Sequence, residues 1–275
     1  MSTWTRAEFA RICRPGVIGM LHLGPLPGSP QWGGSLDSVI DAALRDARAL
    51  REGGMASLML ENFHDIPFHP DVVPPVTVAA MTAVATAVRR ALPDCALGIN
   101  VLRNDAEAAL AIAVAAGAAF IRVNVHTGAA VTDQGLLEGR AWRTLRLRRE
   151  YGAAVGILAD VRVKHAAPLA PRPEADEARD LRLRGLADAL VVTGAATGAG
   201  ADPGELARLR EVLPDCPLLV GSGVSAEGLA RFLPAADGFI VGTSLKDGGD
   251  VAAPVSAARA AAFVSRLEAA RKGLA

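Results

Sequence analysis

A strand-like run followed by a helix-like segment recurs eight times along this chain, and this repetition restricts the fold more than any other feature. Each run is short and aliphatic, and alanine-rich sequence with helical periodicity follows it. Parallel pairing with right-handed crossovers would close eight such units into an α/β fold, the (β/α)8 TIM barrel. The predicted strands are Val17–Leu21, Ser57–Leu60, Leu97–Leu102, Phe120–Val125, Val155–Val161, Ala189–Thr193, Leu218–Val220 and Phe239–Val241.

Helices are predicted between these strands, several of them after a residue that can cap a helix N-terminus. Ser35, Asp202 and Ser225 are such capping residues. An open, doubly wound sheet is the alternative arrangement of the same alternation. The predicted helices begin near Leu36, Val76, Asp105, Gly135, Ala175, Pro203, Ala226 and Pro254.

No change of composition divides the 275 residues, so the whole chain is predicted to form a single barrel domain. Apolar residues make up 51% of the chain and aromatic residues only 4%, which indicates a core of aliphatic side chains and alanine. Residues 1–16 are predicted to be an N-terminal extension whose helix, over residues 3–14, plugs the barrel floor. The proline-rich stretch Pro168–Pro173 is predicted to be a lid.

Charge and hydropathy exclude several classes of partner. The 29 basic and 29 acidic residues cancel, so the chain has no field that would attract a nucleic-acid polymer. The longest apolar run, Ala108–Ile121, is too short to cross a membrane, and the N-terminus lacks the apolar segment of a secretory signal. Cys13, Cys95 and Cys216 lack metal-site spacing. We therefore expect a cytoplasmic protein without membrane insertion.

Two glycine turns, VGSGV and VGTS, follow the seventh and eighth predicted strands. Loops at the carboxyl ends of these strands often hold a phosphate in TIM barrels, because glycine backbone amides and a following helix N-terminus attract an anion. Thr193 and Gly194, with Thr197 and Gly198, could add a third wall. The alternative is that the glycines only make tight connections. The predicted phosphate-binding residues are Gly221, Ser222, Gly223, Gly242, Thr243, Ser244 and Lys246.

Acidic and basic side chains at other predicted strand ends are candidates for catalysis. Glu61 and Asp160 each end an apolar strand, where an unpaired carboxylate is costly, so each either forms a salt bridge or transfers protons. His22 and His165 follow the first and fifth strands, and Lys164 could contact a phosphate or form an imine. No cofactor is required by the sequence, although these groups could bind a divalent metal such as Mg²⁺.

Neutral and cationic side chains at the strand ends are predicted to bind substrate. Arg122 and Asn124 lie on the same face of the fourth strand, because side chains alternate along a strand. Arg122 is either the partner of Glu61 or Asp160 or a clamp for a second anion. The predicted substrate-binding residues are Asn62, Asn100, Arg122, Asn124 and Thr193.

Motifs over nearly the whole chain resemble the BtpA/SgcQ family. The specific ones, in order, are HLGPLPG, ENFHD, NVLRND and DVRVKHA, together with the segment FIRVNVHTGAAVTDQGLLEG and the two glycine turns. The positions that match the family's polar pattern are His22, Glu61, Asn62, Asp65, Asn100, Arg103, Asn104, Asp105, Arg122, Asn124, Asp133, Lys164 and His165.

The resemblance implies a TIM barrel of the phosphate-binding type, but it implies two different functions. One is an enzyme that acts on a phosphorylated sugar or a nucleotide-derived ribosyl compound, as an isomerase, epimerase, lyase or N-glycosidic hydrolase. The other is a non-catalytic assembly factor for a membrane protein complex such as photosystem I. The substrate is expected to be a phosphorylated small molecule, and the chain is expected to form a homo-oligomer.

Overall fold

A closed barrel of eight parallel strands forms the centre of the molecule. The computed structural model describes residues 3–170, 172–194 and 200–273. The first strand pairs with the last, which excludes the open sheet and confirms the barrel. The barrel strands are β1 (Val17–His22), β2 (Ser57–Glu61), β3 (Ala96–Asn100), β4 (Phe120–Val123), β7 (Gly156–Asp160), β9 (Ala189–Val192), β10 (Leu218–Val220) and β11 (Gly238–Val241).

Eight α-helices lie in the described part of the chain, and side-chain caps predicted from the sequence begin several of them. Ser35, Asp105 and Asp202 each accept a hydrogen bond from an amide of the first helical turn. The helix α6 continues into a π-helical turn, Asp180–Arg184. The helices are α1 (Arg6–Ile12), α2 (Leu36–Glu52), α3 (Pro75–Ala91), α4 (Ala106–Ala116), α5 (Ala141–Glu150), α6 (Glu174–Arg179), α7 (Pro203–Val212) and α8 (Ala257–Lys272). None of them is both long and apolar enough to span a bilayer.

The helix predicted near Gly135 is wrong. This region forms an antiparallel hairpin of β5 (Ala129–Thr132) and β6 (Gly135–Glu138), and the helix begins only at Ala141. Thr132 closes the turn, because its hydroxyl accepts from the Gln134 amide and donates to the Gly135 carbonyl. Gly135 has φ +100°, a backbone conformation that a helix does not use.

The helix predicted near Ala226 is also wrong. Ser225 Oγ accepts a hydrogen bond from the Gly228 amide 3.3 Å away, and this bond closes a turn instead of starting an α-helix. Only a short 3₁₀ segment, Leu229–Phe232, follows it. Pro234 comes two residues later and lacks the N–H that a longer helix needs.

The predicted N-terminal helix is confirmed, and it closes one end of the barrel. Thr5 and Glu8 form a capping box at the start of α1. Phe9 is 1% exposed and packs against a cluster that includes Ile18, Phe120 and Leu158, whose side chains point into the barrel. This end of the barrel, the floor, is therefore filled by apolar side chains.

A small antiparallel sheet of three strands extends the loops at the opposite end, the mouth. The strand β5 pairs with β6 on one side and with β8 (Ala166–Pro168) on the other. The sheet covers its own apolar cluster of Val125, Ala130 and Leu137. The predicted lid, Pro168–Pro173, thus begins as the last residue of a strand, and Pro171 lies outside the described residues.

Candidate functional site

A layer of polar side chains and glycines occupies the barrel interior at the mouth. Side chains alternate along each strand, so the inward positions above the apolar floor are the last ones of the strands. The inward residues of this mouth layer are His22, Glu61, Asn100, Arg122, Asn124, Asp160, Thr193, Gly221 and Gly242. All of them were predicted as site residues, and the barrel brings them to one end.

Arg122 and Asp160 form a bidentate ion pair in this layer. Arg122 Nε lies 3.0 Å and Nη2 lies 3.1 Å from the two carboxylate oxygens of Asp160. Asn124 Nδ2 donates to the same carboxylate at 2.8 Å, and the Asp160 side chain has no solvent exposure. Of the roles left open for Arg122, pairing with Asp160 is the one observed. Three side-chain donors thus contact the two oxygens of Asp160, which places this carboxylate as the partner that positions Arg122 and Asn124.

Glu61 has fewer partners than Asp160 although it is also buried. Asn100 Nδ2 donates to Glu61 Oε2 at 2.5 Å, and the His22 Nε2 atom lies 3.8 Å from Oε1, beyond hydrogen-bond range. Burial raises the pKa of Glu61, and the charge of Arg122 partly opposes that rise. Glu61 is therefore the mouth carboxylate whose pKa burial raises and which has the fewer hydrogen-bond partners.

His22 is held neutral beside Glu61. Burial lowers the pKa of His22 to about 3, and the charge of Lys246 lowers it further. Its ring stacks on Phe63 with 4.3 Å between centroids. The Nδ1 atom of His22 is buried and has no hydrogen-bond partner among the described residues. A neutral imidazole in this position can donate or accept a hydrogen bond from a ligand.

Lys164 lies in the segment that follows β7 over the mouth. Burial lowers the pKa of Lys164, and Arg122 adds to this effect, while Asp160 and Glu61 oppose it. Arg103 Nη2 donates to the Lys164 carbonyl at 2.6 Å, and Thr193 Oγ1 donates to the Arg162 carbonyl at 2.6 Å. These two bonds fix the path of the segment. His165 comes next, with its backbone in the left-handed region at φ 54°.

Two glycines of the predicted phosphate turns have a packing role inside the barrel. A Cβ atom on Gly242 would lie 2.8 Å from His22 Cε1. A Cβ atom on Gly221 would lie 2.8 Å from Thr193 Cγ2 and 3.5 Å from Arg122 Nη2. The absence of a Cβ atom at Gly221 and Gly242 therefore leaves room for the mouth side chains. The sequence alone did not indicate this packing role.

The outer residues of the two turns lie side by side at the mouth. Ser244 Oγ donates to the Val224 carbonyl at 3.1 Å, which joins the loop after β11 to the loop after β10. Among the described residues, the backbone amides of Ser222, Gly223, Thr243 and Ser244 donate no hydrogen bond. The expected helix N-terminus after the first turn is absent, so any anion here must rely on these amides.

Ser222, in the first turn, and Lys246, after the second turn, each have a buried polar group. The Ser222 hydroxyl is buried and has no partner in the described part of the chain. Lys246 is 3% exposed, and burial lowers its pKa, whereas Asp46 and Asp250 oppose that effect. Thr197 and Gly198, predicted to add a third wall, lie outside the described residues.

Several polar positions of the family pattern hold loops in place. Asn62 accepts from the Leu102 amide at 2.7 Å, and its Nδ2 donates to the Leu102 carbonyl and to Asp65. Asn104 bonds both backbone groups of Val125. These amides are fully used, so the structure gives Asn62 a supporting position rather than one free for substrate.

Metal binding receives no geometric support within residues 3–170, 172–194 and 200–273, where no three His, Cys, Asp or Glu side chains converge on one point. A divalent metal thus stays a prediction. Arg103 matched the family's polar pattern but was not among the predicted site residues; it is 8% exposed at the mouth, with Nε unpartnered among the described atoms. Arg103 comes three residues after Asn100, in the loop beyond β3, and this place in the sequence indicates a position at the mouth.

Comparisons with known proteins agree with the fold and the sequence motifs. A sequence profile of the BtpA family matches residues 13–269. An uncharacterized protein of Thermococcus kodakarensis is 48% identical over 91% of this chain and 94% of its own length. The photosystem I biogenesis protein BtpA of Synechocystis is 44% identical over 91% of this chain and 87% of its own.

A solved structure, the phosphoribosyl anthranilate isomerase of Thermus thermophilus, superposes with a TM-score of 0.53. It covers 92% of this chain and 98% of the isomerase, at 15% sequence identity. At this level of identity the likeness concerns the TIM-barrel fold.

Proposed function

The chain belongs to the BtpA family, and on this basis we propose that it is an enzyme that acts on a phosphorylated sugar or a nucleotide-derived ribosyl compound. The observation that carries the proposal is the mouth layer, where Glu61 is buried with a raised pKa among polar groups that lack partners. Burying unpaired polar atoms costs about 1–3 kcal/mol each. Such a cost, concentrated at the mouth of a barrel, is typical of a ligand site.

The phosphate of this substrate is assigned to the turns after β10 and β11. Support comes from the four unpaired amides of Ser222, Gly223, Thr243 and Ser244 and from the bond that joins the two loops. Backbone amides that converge in such turns bind anions without a formal charge. Lys246 lies nearby in the chain and would add a cation.

Proton transfer is assigned to Glu61, with neutral His22 as its neighbour. Asp160 holds Arg122 and Asn124 in place, so that Arg122 presents a fixed positive charge to the reacting centre. Lys164, whose pKa is influenced by Arg122, Asp160 and Glu61, and His165, which follows it in the segment after β7, are the further candidates for the catalytic set. A carboxylate acid or base next to a fixed cation can serve isomerase, epimerase, lyase and N-glycosidic hydrolase reactions.

The second candidate is an assembly factor for a membrane protein complex, and it rests on the name of the Synechocystis relative. This role predicts tolerance to changes at the mouth and dependence on the outer surface. Retained assembly of such a complex by a chain carrying Glu61→Gln would favour it over the enzyme.

The phosphate assignment is tested at Gly223, which has φ +68°. Gly223→Asp places a negative charge at the turn, and Gly223→Asn is a matched control because Asn has the same size and tolerates this backbone region. We expect sugar phosphates and inorganic phosphate to raise the Tm of the parent and of Gly223→Asn but not of Gly223→Asp. Equal shifts in all three proteins would remove the phosphate from these turns.

The catalytic assignment is tested at Glu61. Once a substrate is found in the same screen, Glu61→Gln should bind it with similar affinity and convert it at least about 100-fold more slowly in a single turnover. Binding by calorimetry and product analysis measure the two effects separately. Unchanged conversion by Glu61→Gln would exclude this residue as the acid or base.

A further inference from the structure

A cavity of about 490 Å³ opens beside the mouth layer. Asn124 and Thr193 of the mouth layer form its inner wall, and Ala130 and Ala166 of the small sheet form its outer wall. No role in the proposed chemistry has been given to this space. Its volume is large enough for a small-molecule group.

Asn124 presents a buried hydrogen-bond acceptor to this cavity. Its Nδ2 is committed to Asp160, and the opposite amide orientation would set oxygen against a carboxylate, so Oδ1 must face away from Asp160. Asn124 is 5% exposed, and Oδ1 has no partner within the described residues. An acceptor fixed in this way can receive a hydrogen bond from a ligand hydroxyl.

Thr193, which also lines the cavity, likewise offers a hydrogen-bond acceptor to a ligand. Thr193 Oγ1 already donates its proton to the Arg162 carbonyl at 2.6 Å. The hydroxyl can therefore only accept a further hydrogen bond. Asn100, on the neighbouring strand to Arg122, repeats the pattern, with Nδ2 on Glu61 and an unpartnered Oδ1 among the described atoms.

The charges around the cavity disfavour an anion. Each arginine pairs with a carboxylate, because Arg162 binds Glu177 at 3.0 Å and Arg172 binds Asp180 at 2.6 Å. Glu174 and Glu205 remain, and they repel each other, which together with burial raises the pKa of Glu174. The charged residues that line the cavity are Arg162, Arg172, Glu174, Glu177, Asp180 and Glu205.

We infer that this cavity binds the hydroxyl groups of the substrate's sugar, at a subsite separate from the phosphate turns. The sugar hydroxyls donate to Asn124 Oδ1 and Thr193 Oγ1, to which no described residue donates, while the carboxylates keep phosphate out of the cavity. The inference rests on the proposed function, because it names the part of the substrate that the phosphate turns do not hold.

The test measures equilibrium binding to the full chain by calorimetry with three kinds of probe: inorganic phosphate, propyl phosphate, which lacks hydroxyls, and a panel of sugar phosphates with three to six carbons. At least one sugar phosphate should bind the parent about tenfold or more tightly than propyl phosphate, since its hydroxyls reach acceptors that propyl phosphate leaves without a donor. Asn124→Leu should abolish this preference, and a far-UV circular dichroism spectrum like that of the parent shows that the variant is folded.

A second variant protects the test against a folding defect of Asn124→Leu. Ala170 lines the exposed rim of the cavity, so Ala170→Trp should narrow it and weaken sugar phosphates selectively, whereas Ala170→Ser should not. The inference is overturned if no sugar phosphate binds better than propyl phosphate, or if the preference survives in Asn124→Leu.

Failure of the proposed function gives a different result. If no phosphate ester binds the parent, the phosphate turns are wrong, and unphosphorylated ribitol then tests the cavity alone. Ribitol binding that Asn124→Leu removes would support the sugar subsite, and absence of ribitol binding to the parent would overturn it.

Discussion

Two buried arginine–aspartate pairs lie at opposite ends of the barrel and have different surroundings. At the floor, Arg148 Nη1 lies 2.6 Å from Asp188, whose carboxylate also accepts from the amides of Ile157 and Trp4. At the mouth, the donors to the Asp160 carboxylate among the described residues are the side chains of Arg122 and Asn124.

The two ion pairs therefore have different roles, one in holding backbone segments together and one in orienting side chains. The floor pair joins α5, β7 and the N-terminal segment through backbone amides, so removing it would loosen three parts of the chain. The mouth pair orients side chains toward a space where other polar atoms lack partners. We therefore expect changes at the floor to reduce stability and changes at the mouth to reduce function.

Removal of the floor pair should have the largest effect. Arg148→Met leaves the Asp188 carboxylate buried without its cation, and such a loss costs about 3–5 kcal/mol of the free energy of unfolding. Chemical denaturation measures the change, with the exposed neighbour Arg149→Met as control. Equal stability of the two variants would contradict a structural role for the floor pair.

The next largest loss of stability is expected when a methyl group is added inside the barrel at Gly98. A Cβ atom on Gly98 would overlap the Phe120 ring, which is fully buried, so Gly98→Ala should cost about 1–3 kcal/mol by overpacking. At the mouth, a Cβ atom on Gly242 would lie 2.8 Å from the His22 ring, a smaller overlap than the one at Gly98, so Gly242→Ala should cost less. Denaturation midpoints of the two variants compare the floor and the mouth of the barrel directly. A larger loss of stability in Gly242→Ala than in Gly98→Ala would contradict the expected order.

Acid should destabilise the protein through two neutral histidines. Burial lowers the pKa of His22 to about 3 and that of His126 to about 4, whereas both rise to ordinary values on unfolding. The unfolded state therefore binds more protons between about pH 6.5 and pH 4, and stability falls as pH falls, by at most about 1.4 kcal/mol per pH unit for each histidine.

The two histidines can be separated, since His126 lies outside the mouth layer and bonds the Gly185 carbonyl. His22→Gln should flatten the slope of unfolding free energy against pH and leave the His126 contribution. An unchanged slope would mean that His22 is not buried in its neutral form.

Glu61→Gln should have the smallest effect on stability. The raised pKa of Glu61 means that its ionised form is disfavoured in the folded state at neutral pH, and glutamine removes that charge while still accepting from Asn100. We expect the free energy of unfolding to stay constant or rise by up to about 1 kcal/mol. A loss as large as that of Arg148→Met would make Glu61 a structural residue.

Sequence periodicity predicted the barrel because each strand and helix carries its own signal. The hairpin at residues 129–138 was missed, since Leu136 and Leu137 fit a helix as well as a strand and the turn at Gly135 decides between them. The short 3₁₀ segment after Ser225 was missed for a similar reason: the cap was recognised, but the length that follows it was not.

The sequence placed the polar residues at the mouth but left their pairing open. Arg122 could have met Glu61 or Asp160, and the strand order decides, because β4 pairs directly with β7 whereas β3 separates β4 from β2. The packing roles of Gly221 and Gly242 depend on side chains from distant strands, His22 and Arg122, so no local pattern reports them.

The plug formed by α1 has a kinetic consequence. Since Phe9 and its neighbours fill the floor, the described residues leave the mouth as the way into the barrel, and whatever enters there must leave by the same route. In the proposed enzyme, a product still inside would then block the next reactant, so accumulated product should inhibit turnover in competition with the reactant.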